Sequence, residues 1–166
     1  MKSVPLLIAA ALLTASPIPA HAQALETPAA APVDPARTVL LWYDAFARGR
    51  PELLDRLLAP TWVDIPSPPT AAPGPEAAKQ TLVKLRTAFP HFDIQVEDVI
   101  RDGDKVVVRS TITGTQKAPW LGLPATGRTM RIQAVDIHDF EGGQVARTWH
   151  TEDWMTGLRE LGHQPR

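Results

Sequence analysis

Cysteine is absent from the 166 residues. Disulfide frameworks, thiolate metal sites, iron–sulfur clusters and cysteine nucleophiles are therefore excluded in any compartment. Neither sign of charge is in surplus, since 17 Lys and Arg stand against 18 Asp and Glu for a formal net charge of -1. Binding to nucleic acid or to an anionic membrane rests on clustered Lys and Arg, and nothing here predicts it. A membrane-spanning run is also missing. The apolar stretch Val4 to Leu13 is about half of the roughly 20 residues that a spanning helix needs, and Pro17 and Pro19 follow it closely. The five His and the acids include no His-Glu-x-x-His or similar ligand spacing, so a metal ion is not expected. At this length the chain has room for one domain.

What is present divides into three parts. Met1 to Ala22 reads as a secretory signal, with Lys2 as the positive start, a short apolar run, and Ala20-His21-Ala22 as the small-x-small cleavage pattern. The mature protein is therefore expected to be exported, periplasmic or secreted, without stable membrane insertion. Residues 23–33, rich in Ala and Pro, read as a flexible leader. Residues 34–166 form the domain.

Its first half is helical. Asp34-Pro35 is a helix start, and Val39, Trp42, Tyr43 and Phe46 recur at amphipathic spacing up to Gly49. A second helix opens at Pro51, buries Leu53, Leu54, Leu57 and Leu58, and stops at Ala59-Pro60; a brief strand is predicted at Thr61 to Ile65. A third helix spans Pro75 to Ala88. From Phe92 the period becomes two. Strands are predicted over Phe92 to Ile100, Lys105 to Thr115, Arg131 to Phe140 and Val145 to Asp153, with turns at Asp102-Gly103-Asp104 and Gly142-Gly143. Trp154 to Leu161 reads as a closing helix. Helices followed by an antiparallel meander predict an α+β fold with the helices on one face of a curved sheet.

The run Phe89-Pro90-His91-Phe92, the segments Val96-Glu97-Asp98-Val99-Ile100 and Asp102 to Arg109, Thr113-Gly114-Thr115, Leu121 to Gly127, Val135-Asp136-Ile137, Trp149 to Asp153 and Leu158 to Gly162 together resemble the SnoaL-like polyketide cyclase family. The resemblance covers nearly all of Asp34 to Gly162. It implies an NTF2-like cone, in which three helices and a strongly bent sheet enclose an apolar pocket. It also implies ring closure by intramolecular aldol condensation without a cofactor, with an aspartate as general acid/base, acting on a small apolar carbonyl or ester compound. Homodimerisation through the open sheet face follows the superfamily's habit. Two features depart from the pattern: Asp64-Ile65-Pro66 stands where members commonly carry a His-Asp-Pro-like element, and an exported domain would not meet a cytosolic polyketide. A non-catalytic exported binder of apolar small molecules is therefore the alternative.

Aldol chemistry needs a proton-moving group in a water-poor cavity, so acids on an apolar face are the candidates. A two-residue Gly142-Gly143 loop places Phe140 opposite Val145, His138 opposite Arg147, Asp136 opposite Trp149 and Ile132 opposite Asp153. One face then carries Asp136, His138, Arg147, Trp149 and Asp153 and is assigned to the pocket, while His150 and Glu152 fall on the other. Asp153 is the first catalytic candidate, because it matches the aspartate of the family's Trp-x-x-x-Asp pattern; it equally suits capping of the closing helix. Asp136 is the second, about 13 Å along the strand. His138 could orient a carbonyl or merely pair with a neighbour. Tyr43, Trp120, Trp149 and Arg147 are the expected substrate contacts, with Trp120 on a flap from Ala118 to Arg128.

Overall fold

The computed structural model describes residues 34–67 and 70–163. The expected signal and leader lie outside them. Among the described residues no helix is long and apolar enough to cross a membrane.

Asp34 begins the domain by accepting a hydrogen bond from Ala36 N at 3.1 Å, with Pro35 in the first helical position. The predicted first helix is two pieces, α1 (Pro35–Thr38) and α2 (Leu40–Arg48), joined at Val39. Gly49 ends α2 at φ 64, a left-handed conformation that closes the last turn onto Ala45. Arg86 then covers the freed carbonyls, donating to Ala47 O at 2.8 Å and Phe46 O at 3.3 Å. Helix α3 (Glu52–Leu57) stops one residue sooner than its leucine pattern predicts, because Leu58 opens β1 (Leu58–Ile65). Helix α4 (Pro75–Ala88) has the predicted bounds.

Strands β2 (Asp93–Asp102), β3 (Lys105–Thr115), β4 (Thr129–Glu141) and β5 (Gln144–Glu152) form an antiparallel meander, and α5 (Trp154–Glu160) follows. The sheet order is β1-β5-β4-β3-β2, with β1 parallel to β5. This is the α+β layout expected, with helices against one face. Val106, Val108, Ile112, Ile132, Ala134 and Phe140 on the inner face are buried against Trp42, Phe46, Leu54, Leu82 and Phe89 from the helices.

The β4–β5 hairpin decides which residues share that inner face. Gly142 and Gly143 have φ of 58 and 85, the two positive values of a tight type I′ loop, so Glu141 pairs with Gln144 and Phe140 with Val145 as predicted. Ala146 is then an extra residue, a β-bulge, and Asp139 pairs with Arg147. Beyond it every partner is shifted by one: His138 faces Thr148, Asp136 faces His150, and Ala134 faces Glu152. Because side chains alternate along a strand, that single insertion turns the predicted faces of β5 over.

Candidate functional site

A cavity of about 420 Å³ opens between the helices and the inner sheet face, within the usual size of a small-molecule site. Trp42, Trp62, Trp120 and Trp154 supply aromatic wall, Phe92, Ile94 and Ile112 aliphatic and aromatic floor, and Asp64, Asp136, His150 and Glu152 its acids and base.

The bulge corrects three of the predicted site residues. Arg147 lies on the outer face, 2.7 Å from Asp139 Oδ2 and also paired with Glu141. Trp149 is on that outer face too, with Lys105 Nζ 5.4 Å from its ring centroid. Asp153 is exposed and caps α5, accepting from Thr156 N at 3.0 Å; that hydrogen bond holds its carboxyl below the usual range. None of the three lines the cavity, and Asp153 follows the end of β5 instead of continuing it. Conversely His150 and Glu152, expected outside, line it.

Asp136 lines the cavity, whereas Tyr43, predicted to touch the substrate, and His138, predicted on the pocket face, do not; the three form one buried network. Tyr43 Oη lies 2.8 Å from Asp136 Oδ2 and 3.1 Å from His138 Nε2; His138 Nδ1 lies 3.2 Å from Thr148 Oγ1, and Trp62 Nε1 lies 3.0 Å from the same hydroxyl. The two ends fix every proton between them. A carboxylate only accepts, so Tyr43 donates to Asp136 and must accept from the Nε2–H of His138. An indole N–H only donates, so Thr148 accepts from Trp62 and passes its own hydrogen to the bare Nδ1 of His138. This assignment requires a neutral His138. Burial indeed lowers the His138 pKa from 6.5 to about 4. Tyr43 is pushed upward by burial and then by the neighbouring Asp136 charge, and it stays a phenol.

His150 is in the opposite state. Its Nδ1 lies 2.7 Å from Asp136 Oδ1 and its Nε2 lies 2.8 Å from Asp64 Oδ1, so both nitrogens face carboxylates. Burial opposes the charge, but the two carboxylates outweigh it and raise the His150 pKa from 6.5 to about 10. Trp42 stacks on the imidazolium, with centroids 5.4 Å apart and planes at 30°. Glu152, beside the Trp154 indole N–H that binds it, has its carboxyl raised by burial. Among the described residues no three His, Asp or Glu side chains are arranged to hold a metal ion.

Trp120 lies on the cavity wall, packed edge-on against Phe89 at 5.9 Å and tilted against Trp154 at 5.8 Å. Sequence reasoning missed Asp64, His150 and Glu152. The available signal was Val145-Ala146, two small apolar residues in succession, which breaks the period-two alternation just where the bulge lies.

A family model described as SnoaL-like polyketide cyclase matches residues 36–161. Among solved structures, the chain is similar to TsrD from Streptomyces laurentii, at 28% identity and a TM-score of 0.72, covering 77% of this chain and 94% of that one. It is similar to IdmH, a candidate polyketide cyclase from Streptomyces antibioticus, at 27% identity and a TM-score of 0.68, covering 78% and 99%. A candidate SnoaL-like polyketide cyclase from Jannaschia sp. CCS1 is 26% identical with a TM-score of 0.71, covering 82% and 99%. No curated protein matches.

Proposed function

Because the chain belongs to the SnoaL-like polyketide cyclase family and has its NTF2-like fold, we propose that it is a cofactor-independent cyclase or isomerase moving protons on a small apolar carbonyl or ester compound. The observation that carries this reading is the Asp64–His150–Asp136 row on the wall of an aromatic cavity.

Each member has a distinct part. Both oxygens of Asp136 are committed, one to His150 and one to Tyr43, so it keeps the imidazole charged and oriented and acts as a positioning residue. Asp64 is half-buried at the cavity wall and has His150 as its side-chain partner, which makes it the base. It takes a proton from the carbon beside a carbonyl. Once Asp64 is neutral, the Nε2–H of His150 turns to the enolate oxygen and stabilises it. The enolate carbon forms a bond to a second carbonyl carbon of the same molecule, whose oxygen then receives the proton back from Asp64. Tryptophan walls keep water from protonating the enolate early.

The test uses acetonylacetone, an uncharged diketone whose aldol closure and subsequent loss of water give methylcyclopentenone, followed by ultraviolet absorbance. The wild-type protein is expected to accelerate closure over buffer, and Asp64→Asn and His150→Gln to return it to background. Equal rates in all three would sink the acid/base reading and favour the exported binder, in which the doubly clamped His150 is only a structural ion pair.

We extend the proposal to export of the mature domain and to a homodimer. An apolar row crosses all five strands on the outer face, Ile100 pairing with Val107, Val107 with Ile137, Ile137 with Trp149 and Trp149 with Ile65. Ile100 is 63% exposed and Ile137 36%, and a contiguous exposed apolar row, unlike a single exposed side chain, marks an interaction surface.

A further inference from the structure

Four buried side-chain polar atoms have no hydrogen-bond partner among the described residues: Asp64 Oδ1, Ser110 Oγ, Gln116 Nε2 and Trp120 Nε1. Buried polar groups are almost always paired, so each exception calls for a reason. Asp64 Oδ1 has one in its ion pair with His150. Two of the remaining three belong to residues that line the cavity, Ser110 and Trp120, and the reaction described above uses neither.

Ser110 is 1% exposed and sits in an apolar stretch of sheet, with Val96 across β2, Ala134 across β4, and Val108 and Ile112 on its own strand face. Alanine would pack there as well, so nothing in the core asks for its hydroxyl. Val108 pairs with Asp136 and Ser110 with Ala134, which makes Ser110 a diagonal neighbour of Asp136, about 7 to 8 Å away across the ladder. Trp120 is held from the loop side. Its backbone exchanges hydrogen bonds with Leu123 at 3.0 and 2.9 Å, Leu121 between them takes φ 51, and its ring is wedged between Phe89 and Trp154. A residue with positive φ that is not glycine marks a turn held under strain, here one that fixes the Trp120 ring on the cavity wall.

We propose that Ser110 Oγ–H and Trp120 Nε1–H are positioning donors for two oxygens of the substrate, and that the substrate is an uncharged aromatic or alicyclic compound with at least two acceptor oxygens. Ser110 holds the oxygen of the carbonyl whose neighbouring carbon meets the Asp64–His150 pair. Trp120, under the loop, holds the distal oxygen and sets how far along the cavity the molecule lies. An indole N–H only donates, so the distal group is an acceptor such as a carbonyl, ester or ether oxygen and not a protonated amine. The wall already carries the carboxylates of Asp64 and Asp136 against one imidazolium, so a carboxylate on the ligand is repelled. The inference rests on the carbonyl-chemistry reading of this cavity.

The test compares benzoylacetone with butylbenzene, the same carbon skeleton without oxygen. Tryptophan fluorescence is expected to give tighter binding of the diketone to the wild-type protein. Ser110→Ala and Trp120→Phe are each expected to weaken the diketone roughly three- to tenfold, the worth of one hydrogen bond, and to leave butylbenzene within twofold. In the intact wild-type protein the indole resonance of Trp120 is expected to move downfield with benzoylacetone and to stay in place with butylbenzene. Equal affinity for the two probes, equal weakening of both by the substitutions, or an unmoved indole proton would each overturn the proposal. Failure of acetonylacetone closure with these ratios intact would remove the acid/base reading alone.

Discussion

His150 Nδ1 lies 2.7 Å from Asp136 Oδ1 because Ala146, four residues before the histidine, has no partner on the facing strand. With the uninterrupted pairing, Trp149 would stand at that place. The bulge thus converts an aromatic–acid pair into an acid–base pair, and four of the predictions below depend on it.

Stability should pass through a maximum near pH 6.5. His138 is held neutral, its pKa lowered to about 4, so the unfolded chain binds the extra proton below 6.5 and stability falls as pH drops from 6.5 towards 4. His150 is held charged, its pKa raised to about 10, so its contribution is full below 6.5 and is lost as pH climbs from 6.5 to 10. Thermal melts across this range should lose the acid limb in His138→Gln and the alkaline limb in His150→Gln. A wild-type profile flat from 5 to 9 would contradict the assignment of both rings.

Asp136→Asn should lower the His150 pKa by at least one unit, because the buried imidazolium keeps only Asp64 as counter-charge. Proton NMR titration of the histidine C–H resonances measures this. Turnover of acetonylacetone should fall at least tenfold in the same variant, with substrate affinity little changed.

Thr148→Val keeps the volume and removes the relay between Trp62 and His138. Trp62 Nε1–H and His138 Nδ1 are then left buried without a partner, and unfolding in urea should show a loss of about 1 to 3 kcal/mol for each, with no change in cavity shape. A loss below about 0.5 kcal/mol would mean that the hydroxyl does not bridge them.

Asp153→Ala removes the side-chain cap of α5 and leaves the cavity wall intact. Its melting temperature should drop by about 3 °C while turnover per folded molecule stays within twofold. Loss of turnover in a folded Asp153→Ala protein would return the catalytic part to this residue.

Ile137→Lys places a charge in the middle of the outer apolar row, on the face away from the cavity. Sedimentation velocity should find the wild-type protein as a dimer and the variant as a monomer with the same far-ultraviolet spectrum. A wild-type monomer at high concentration would remove the dimer proposal.

The amino-acid sequence by itself determined the kind and order of the elements. Pro75, Gly49, Gly103 and Gly142-Gly143 punctuate helices and hairpins by backbone chemistry that acts within a few residues, and the apolar periods of α2 and α4 assign their buried faces. The family resemblance, carried by motifs spread over the chain, added the cone and its pocket. Around the site, Tyr43, Asp136 and His138 were legible because each lies on an element whose period is unbroken, and Trp120 because it stands among apolar residues in a Pro- and Gly-bounded loop. The tertiary structure alone decided which imidazole meets which carboxylate. A strand pattern assigns faces only modulo two, so one unpaired Ala146 exchanges Arg147, Trp149 and Asp153 for Thr148, His150 and Glu152. Asp64 was decided in the same way, since its part comes from the parallel pairing of β1 with β5, a contact between residues more than 80 positions apart, Asp64 opposite Thr148. Local chemistry cannot encode such a contact; it exists only when the sheet has closed the distance.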